Sequence, residues 1–218
     1  MQIKLSNKEI DKINIDEILP FLADNGERKG FMFKSGEHHY RLLVYLSNLF
    51  NNSFFCDIGT FKGSSALALA VNSSNNVYSF GIEERVIPIS ETIKYLPQPI
   101  AFTRPPNIDF ITTNNFLKYS DIILDSDLIF LDIDHAGEKE EELYEFLLEM
   151  GYKGLMILDD IHIYKVFNGP NKEQLKGMED FWNSIKDKKG VYDISKWGHG
   201  ETGTGLISFD NSLELIIE

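Results

Sequence analysis

The stretch from Phe54 to Ala70 constrains the fold of this chain more than any other segment. An apolar run ends in Asp57 and Gly59, a short loop carries Gly63, and an Ala/Leu-rich run with helical character follows. This order predicts a strand, a tight turn and a helix, as at the opening of an α/β nucleotide-type site. Gly59 can adopt backbone angles that other residues avoid and can let a ligand come close. Gly63 stands where the start of a helix leaves backbone N–H groups free.

The spacing of these glycines excludes two common phosphate-binding motifs. A P-loop has a Lys followed by Ser or Thr after its last glycine, and Gly63-Ser64 lacks that Lys. The dinucleotide pattern G-x-G-x-x-G needs three glycines, and only two are present. The pattern D-x-G-x-x-x-G-S that remains is similar to the first motif of class I S-adenosylmethionine (SAM)-dependent methyltransferases. A plain strand–helix turn is the alternative interpretation.

The resemblance extends beyond the glycine turn. The second predicted strand, Val77 to Ile82, is followed by Glu83, an acid about 20 residues past the turn, where dinucleotide sites hold ribose hydroxyls. Asn114 follows the third predicted strand, Asp109 to Thr113, where related enzymes contact the adenine. The resemblance implies that SAM contacts the following residues: Asp57, Gly59, Thr60, Phe61, Gly63, Ser64, Ser65, Glu83, Asn114 and Asp132.

Strands and helices alternate along the rest of the chain until two strands meet directly near its end. This order predicts a parallel sheet with right-handed crossovers and a final antiparallel hairpin. The resemblance to class I methyltransferases covers about Gly36 to Phe209 and implies an α/β, three-layer αβα sandwich. Its Rossmann-like sheet would have seven mostly parallel strands, with the last antiparallel. We expect residues 1–35 to form a helical lead-in or cover and residues 36–218 to form the methyltransferase domain of one compact unit.

Two later predicted strands end in acids and histidines, at residues 132–135 and 159–162. The carboxyl ends of parallel strands share one edge of a sheet, so these side chains are expected to crowd together. Like charges at such distances raise one another's pKa, and a divalent cation would remove the conflict. Oxygen ligands suit Mg²⁺, Ca²⁺ or Mn²⁺, and the histidines leave room for a transition metal.

This second cluster resembles the cation-dependent, catechol-type O-methyltransferases of the methyltransferase family 24-like group. The resemblance implies that Asp132, Asp159 and Asp160 hold Mg²⁺ or another divalent cation, which would lower the pKa of an acceptor hydroxyl. Those enzymes place a Lys shortly after the first metal-binding Asp as general base. This chain has His135 there, with a suitable pKa, so Asp132 and His135 are the expected catalytic residues. Asp-x-Asp-His also occurs in relatives for which no metal is assured, so a reaction without metal stays open.

The glycine-rich segment before the last predicted strand should lie at the same edge of the sheet. Trp197 and His199, together with His162, are expected to face a small-molecule acceptor. The alternative for Trp197 and His199 is a plain hairpin turn, and the alternative for His162 is a half-exposed helix or loop residue. His38 and His39 fall on the first turn of a predicted helix, and we expect a solvated helix start there.

Composition narrows the classes of partner. The formal net charge of -13 argues against nucleic acid, because proteins that bind it carry basic stripes. The single cysteine, Cys56, excludes an internal disulfide framework, suits the reducing cytoplasm and should pack inside the first predicted strand. No signal peptide or membrane-spanning run is apparent. Dimers are common among similar enzymes, so a homodimer is an open expectation.

Two other functions compete with methyl transfer. Ile129 to Asp134 matches the h-h-D-x-D motif of haloacid-dehalogenase-like phosphatases, and Asp159-Asp160 imitates their acidic metal pair. That family, however, has Thr or Val where His135 stands, and its fold would leave the glycine turn after Asp57 unexplained. The other alternative is a non-catalytic SAM-binding module, against which the acidic and histidine-bearing edge argues.

Overall fold

A computed structural model describes residues 2–16, 18, 25–60, 63–81, 106–210 and 213–218. The strands, in chain order, are β1 (Gln2–Leu5), β2 (Phe54–Ile58), β3 (Asn76–Gly81), β4 (Ile108–Thr112), β5 (Leu128–Leu131), β6 (Leu155–Asp159), β7 (Val191–Asp193), β8 (Thr204–Ser208) and β9 (Glu214–Ile217). The α-helices are α1 (Asn7–Ile10), α2 (Asn25–Met32), α3 (Tyr40–Ser47), α4 (Ser64–Leu69), α5 (Ser120–Leu124), α6 (Glu138–Glu149), α7 (Ile163–Val166) and α8 (Lys176–Ile185). Two short 3₁₀ helices span Phe116–Tyr119 and Lys172–Leu175.

Seven strands form the central sheet in the order β4-β3-β2-β5-β6-β8-β7. Strands β2 to β6 pair in parallel with their neighbours, whereas β8 runs antiparallel to both β6 and β7. The sheet therefore reverses its strand order between β2 and β5, and ligands of open α/β sheets bind beside such a reversal. The predicted fold class is confirmed, including the antiparallel final strand of the sheet.

The sheet is buried on both faces, which explains why its strands are apolar at nearly every position. Along β5, Leu128 and Phe130 belong to one apolar cluster, and Ile129 and Leu131 belong to the other. The first cluster also includes buried side chains of α3 and α4, and the second includes those of α5, α6 and α8. Alternate residues of each strand thus pack against opposite helical layers.

A second, two-stranded sheet joins the two ends of the described chain. Strands β1 and β9 pair in parallel, with Gln2 opposite Glu214 and Leu5 opposite Ile217. Ile3 and Leu5 are fully buried, while the alternate residues of β1 are exposed. The helical lead-in expected from the sequence is therefore preceded by a strand, which is too short for its alternation to stand out. Among the helices of the described ranges, none has the length and apolarity needed to cross a membrane.

Candidate active site

The turn after β2 depends on Gly59, which has a φ of +106°. A Cβ atom at this residue would lie only 1.7 Å from the carbonyl oxygen of Asp132. The Gly59 and Thr60 amides both donate to the carbonyl of Phe80, at 2.9 and 3.0 Å. Gly59 therefore lets the loops after β2 and β5 touch. We expected a glycine that makes room for a ligand, and in the structure the group brought close is a backbone carbonyl.

Asp57 is buried at the end of β2 and is held by the neighbouring strand. Ser79 lies opposite Asp57 in the β2–β3 register, and its hydroxyl donates to Asp57 Oδ2 at 2.7 Å. Burial raises the pKa of Asp57, and nearby serine hydroxyls offset part of that effect. The other oxygen, Oδ1, is buried without a hydrogen-bond partner among the described residues, as are Thr60 Oγ1 and Ser64 Oγ. The Thr60 hydroxyl lies near enough to Asp57 to lower its pKa, yet the three oxygens lack a well-directed hydrogen bond among the described residues. Buried oxygens in this state suit a polar ligand.

A cleft lies beside this turn. It crosses the tips of three neighbouring strands and is lined by Ile58, Gly59, Phe80, Gly81, Thr113, Asn114, Phe116, Ile133 and Lys139. Of the predicted SAM-contacting residues, Gly59 and Asn114 line it. Gly63, Ser64 and Ser65 follow at the start of α4, where both serines are buried. Phe61 and Glu83, also predicted to contact SAM, lie outside the residues that the structure describes.

The three predicted metal-binding carboxylates come together at the tips of β5 and β6, with His135 between two of them. His135 Nε2 lies 3.4 Å from Asp132 Oδ1 and 3.3 Å from Asp160 Oδ2. Partial burial and the charges of Asp159 and Asp160 raise the pKa of Asp132 well above its usual range. Burial raises the pKa of Asp160 as well, but contact with His199 and the charge of His135 outweigh it and lower the net value. The crowding expected from the sequence is therefore present.

The backbone of the His135 loop is fixed by Glu140, which sequence reasoning did not single out. Glu140 is buried in the first turn of α6. Its carboxylate accepts from the His135 amide at 3.2 Å and from the Gly137 amide at 3.0 Å. His135 has a φ of +59°, which a free chain rarely adopts. Gly137 immediately precedes the helix, and Glu140 follows it by three residues. An acid at that spacing is the sequence signal that could have identified this contact.

The prediction that His39 lies at a solvated helix start is wrong. His39 is only 4% exposed, its ring centroid lies 5.0 Å from that of Phe130, and its Nδ1 lies 3.1 Å from Asp159 Oδ2. The α3 helix packs on the sheet, so its first residues reach the end of β6. Two adjacent histidines immediately before an apolar helix are the signal that could have indicated a buried role.

His199 joins the same cluster, whereas His162 and Trp197 do not. His199 Nδ1 lies 3.5 Å from Asp160 Oδ1 and 2.7 Å from the Thr202 hydroxyl. The His162 ring pairs instead with Asp193, at 2.9 Å, and with Lys165, at 3.3 Å. Trp197 is 3% exposed and packs within the hydrophobic core. A role for these three residues in binding an acceptor stays a prediction.

Comparison with known proteins relates this fold to methyltransferases. No protein-family model and no curated protein matches the sequence. A Klebsiella pneumoniae protein assigned as an O-methyltransferase matches over 93% of this chain and 94% of its own, with 14% identity and a TM-score of 0.58. The O-methyltransferase from Bacillus cereus, solved with SAH, matches over 93% and 96%, with 15% identity and a TM-score of 0.56. TomG from Streptomyces achromogenes, solved with SAM, matches over 90% and 92%, with 14% identity and a TM-score of 0.54. The chain therefore has the fold of these O-methyltransferases.

Proposed function

We propose that this chain is a SAM-dependent methyltransferase that acts on a hydroxyl oxygen of a small molecule. The observation that carries the proposal is the turn after β2, where three buried oxygens lack hydrogen-bond partners among the described residues, beside a cleft at the tips of the neighbouring strands. Solved structures with this fold include one in complex with SAH and one in complex with SAM. The cleft lies at the tips of β2, β3 and β4, next to the strand reversal where such sheets bind ligands.

The residues of the β2 turn fit a SAM ligand in chemistry. SAM, when bound, supplies an electrophilic methyl group on a sulfonium. Asp57 Oδ1, Thr60 Oγ1 and Ser64 Oγ would hydrogen bond with polar groups of the ligand, and Asn114 would lie near its base in the cleft. Phe61, Gly63, Ser65 and Glu83 complete the proposed binding set. Glu83 would accept from the two ribose hydroxyls, as an acid does in dinucleotide sites.

His135 is the proposed general base. Asp132 and Asp160 both approach its Nε2, at 3.4 and 3.3 Å, and Glu140 fixes its backbone, so Nδ1 is the nitrogen that would take up a proton. The imidazole can therefore accept the proton of an acceptor hydroxyl while its orientation stays fixed. A divalent cation held by the carboxylates of Asp132, Asp159 and Asp160 is a second proposed way to favour the ionised form of that hydroxyl, in place of the His135 contacts with Asp132 and Asp160. His162, Trp197 and His199 remain the proposed acceptor-binding residues.

Neither alternative function finds support in the fold. A haloacid-dehalogenase-like phosphatase would use the segment after β5 as its nucleophile, but that segment lies beside a glycine turn and cleft that phosphoryl transfer leaves unexplained. A non-catalytic SAM-binding module would not need a histidine held between two carboxylates. The proposed methyl transfer accounts for both features.

A test uses radiolabelled SAM and a panel of aromatic vicinal diols, with 3,4-dihydroxybenzoate as the first probe. We expect His135→Gln to lower kcat by about 10²- to 10⁴-fold, the usual contribution of a general base, while the Kd for SAM stays within about twofold. Asp57→Asn should weaken SAM binding instead. Unchanged turnover in His135→Gln would contradict the assigned base, and a wild-type protein that does not bind SAM would contradict the function itself.

A further inference from the structure

Two histidines and one aspartate from three distant parts of the chain meet at the end of β6. His39 immediately precedes α3, Asp159 is the last residue of β6, and His199 lies between β7 and β8. His39 Nδ1 lies 3.1 Å from Asp159 Oδ2, and His199 Nδ1 lies 4.0 Å from Asp159 Oδ1. One donor atom from each residue lies within 4.8 Å of the other two. Donor atoms bound to one ion are about 3 to 3.5 Å apart, since each bond is about 2.1 Å long.

Two buried atoms of this cluster that could bind an ion lack a hydrogen-bond partner in the described part of the chain. His39 is 4% exposed and Asp159 is 5% exposed. His39 Nδ1 and Asp159 Oδ1 have no hydrogen-bond partner among the residues that the structure places. His39 Nδ1 and Asp159 Oδ2 therefore approach to 3.1 Å without the geometry of a directed hydrogen bond. Leaving buried polar atoms unpaired is unfavourable, and a shared ligand would remove that penalty.

The other two carboxylates of the edge already have a partner. The His135 ring lies between Asp132 and Asp160, with its Nε2 at 3.4 and 3.3 Å from their oxygens. A cation bound by all three carboxylates would have to displace this ring. The set of His39, Asp159 and His199 leaves the His135 ring in place. His199 Nδ1 would give up its contacts with the Thr202 hydroxyl, at 2.7 Å, and with Asp160 Oδ1, at 3.5 Å.

We infer that this chain binds a divalent transition-metal ion through His39, Asp159 and His199. Two imidazoles and one carboxylate favour Zn²⁺, Fe²⁺ or Co²⁺, whereas Mg²⁺ prefers oxygen ligands and retains several waters. The inference deepens the proposed function, since it changes the metal class and the ligand set at the same edge of the sheet. It also gives His39 a role that neither the SAM cleft nor the proposed base requires.

Such an ion would link three elements of the chain. The segment before α3 already touches the loop between β7 and β8, where the Gly200 amide donates to the Gly36 carbonyl at 2.8 Å. His39 and His199 flank this contact, and Asp159 belongs to the sheet beneath it. An ion at the cluster would therefore stabilise the folded chain, because it binds the native arrangement and not the unfolded one.

The test is a metal titration of the full chain after treatment with EDTA. We expect calorimetry to show one Zn²⁺ per chain, bound at least about 100-fold more tightly than Mg²⁺, and Co²⁺ to show the visible absorption of an ion with nitrogen ligands. His39→Gln and His199→Gln should each weaken Zn²⁺ binding by more than about 100-fold, since even outer-shell changes cost 10- to 100-fold. His162→Gln is the matched control, because its ring pairs with Asp193, and it should bind Zn²⁺ like the wild type.

A second variant separates this ligand set from the three-carboxylate set. Asp132→Asn should leave the Zn²⁺ affinity within about threefold if the inference is right, because Asp132 is not a proposed ligand of this site. Loss of metal binding in Asp132→Asn with retention in His39→Gln and His199→Gln would overturn the inference, as would equal affinity for Mg²⁺ and Zn²⁺ or no binding of either. Circular dichroism and SAM titration of each variant show that it is folded. SAM binding without metal binding would overturn this inference alone and leave the proposed function standing.

Discussion

At the scale of single residues, Gly59 shows how one missing side chain joins two loops. Replacement by Ala would place a Cβ 1.7 Å from the Asp132 carbonyl at a φ of +106°, so the two loops would have to separate. We expect Gly59→Ala to lower the free energy of unfolding by about 3 kcal/mol or more, as clashes with backbone do. Urea denaturation measures this loss.

Gly151 provides the control for that substitution. It also has a positive φ, of +67°, but nothing lies within 4 Å of the Cβ that an Ala would add. Gly151→Ala should therefore cost only the strain of the left-handed conformation, about 1 to 2 kcal/mol. Equal losses of stability in the two variants would show that the close contact with the Asp132 carbonyl is not the reason for glycine at position 59.

Cys56 predicts a dependence of stability on pH. Burial raises the pKa of its thiol from 9.0 to about 12. Above pH 9 the unfolded chain releases the thiol proton while the folded chain keeps it, so the free energy of unfolding falls as pH rises, by at most about 1.4 kcal/mol per unit. Cys56→Ala removes this contribution. We expect the stability gap between wild type and Cys56→Ala to narrow by about 2 kcal/mol between pH 8 and pH 10.5 in chemical denaturation. Parallel pH profiles would contradict a protonated buried thiol.

At the scale of elements, the order of strands and helices could be predicted because most strands are continuous apolar runs. Strand β5 and the helix that begins at Glu138 are both predictable, since the length and periodicity of their apolar residues fit few other secondary structures. The pairing of β1 with β9 could not be predicted. Four-residue strands at opposite ends of the chain carry too little pattern to be distinguished from loops, and only tertiary contacts define them.

The small sheet of β1 and β9 makes a prediction of its own. Ile3 is fully buried, whereas Ile217 on the partner strand is 58% exposed. We expect Ile3→Ala to lower the free energy of unfolding by about 2 to 5 kcal/mol, through lost burial and a residual cavity. Ile217→Ala should change it by no more than about 0.5 kcal/mol. Guanidinium denaturation of both variants checks the pair, and a small effect of Ile3→Ala would mean that this sheet does not contribute to the core.

At the scale of the whole molecule, the candidate site depends on segments that are distant in sequence. The proximity of Asp132, Asp159 and Asp160 could be predicted from the sequence because parallel strands end at one edge of a sheet. The burial of His39 beside Asp159 could not, because it depends on how α3 packs against the sheet. The same limit explains His162, whose pairing with Asp193 depends on where β7 ends rather than on the neighbouring aspartates. The sequence pattern therefore predicts which edge of the sheet holds the site, and tertiary packing determines which side chains contribute to it.

The most direct test of the central claim is a calorimetric titration of the EDTA-treated full chain with SAM. We predict one binding site with a Kd in the micromolar range, about −8 kcal/mol, and a loss of at least about tenfold in affinity in Asp57→Asn, whose carboxylate lies buried at the β2 turn. His162→Gln serves as control and should bind SAM like the wild type, because its ring pairs with Asp193 away from that turn. A folded wild-type protein that gives no heat with SAM, or an Asp57→Asn variant with unchanged affinity, would contradict the assignment of the β2 turn as a SAM site.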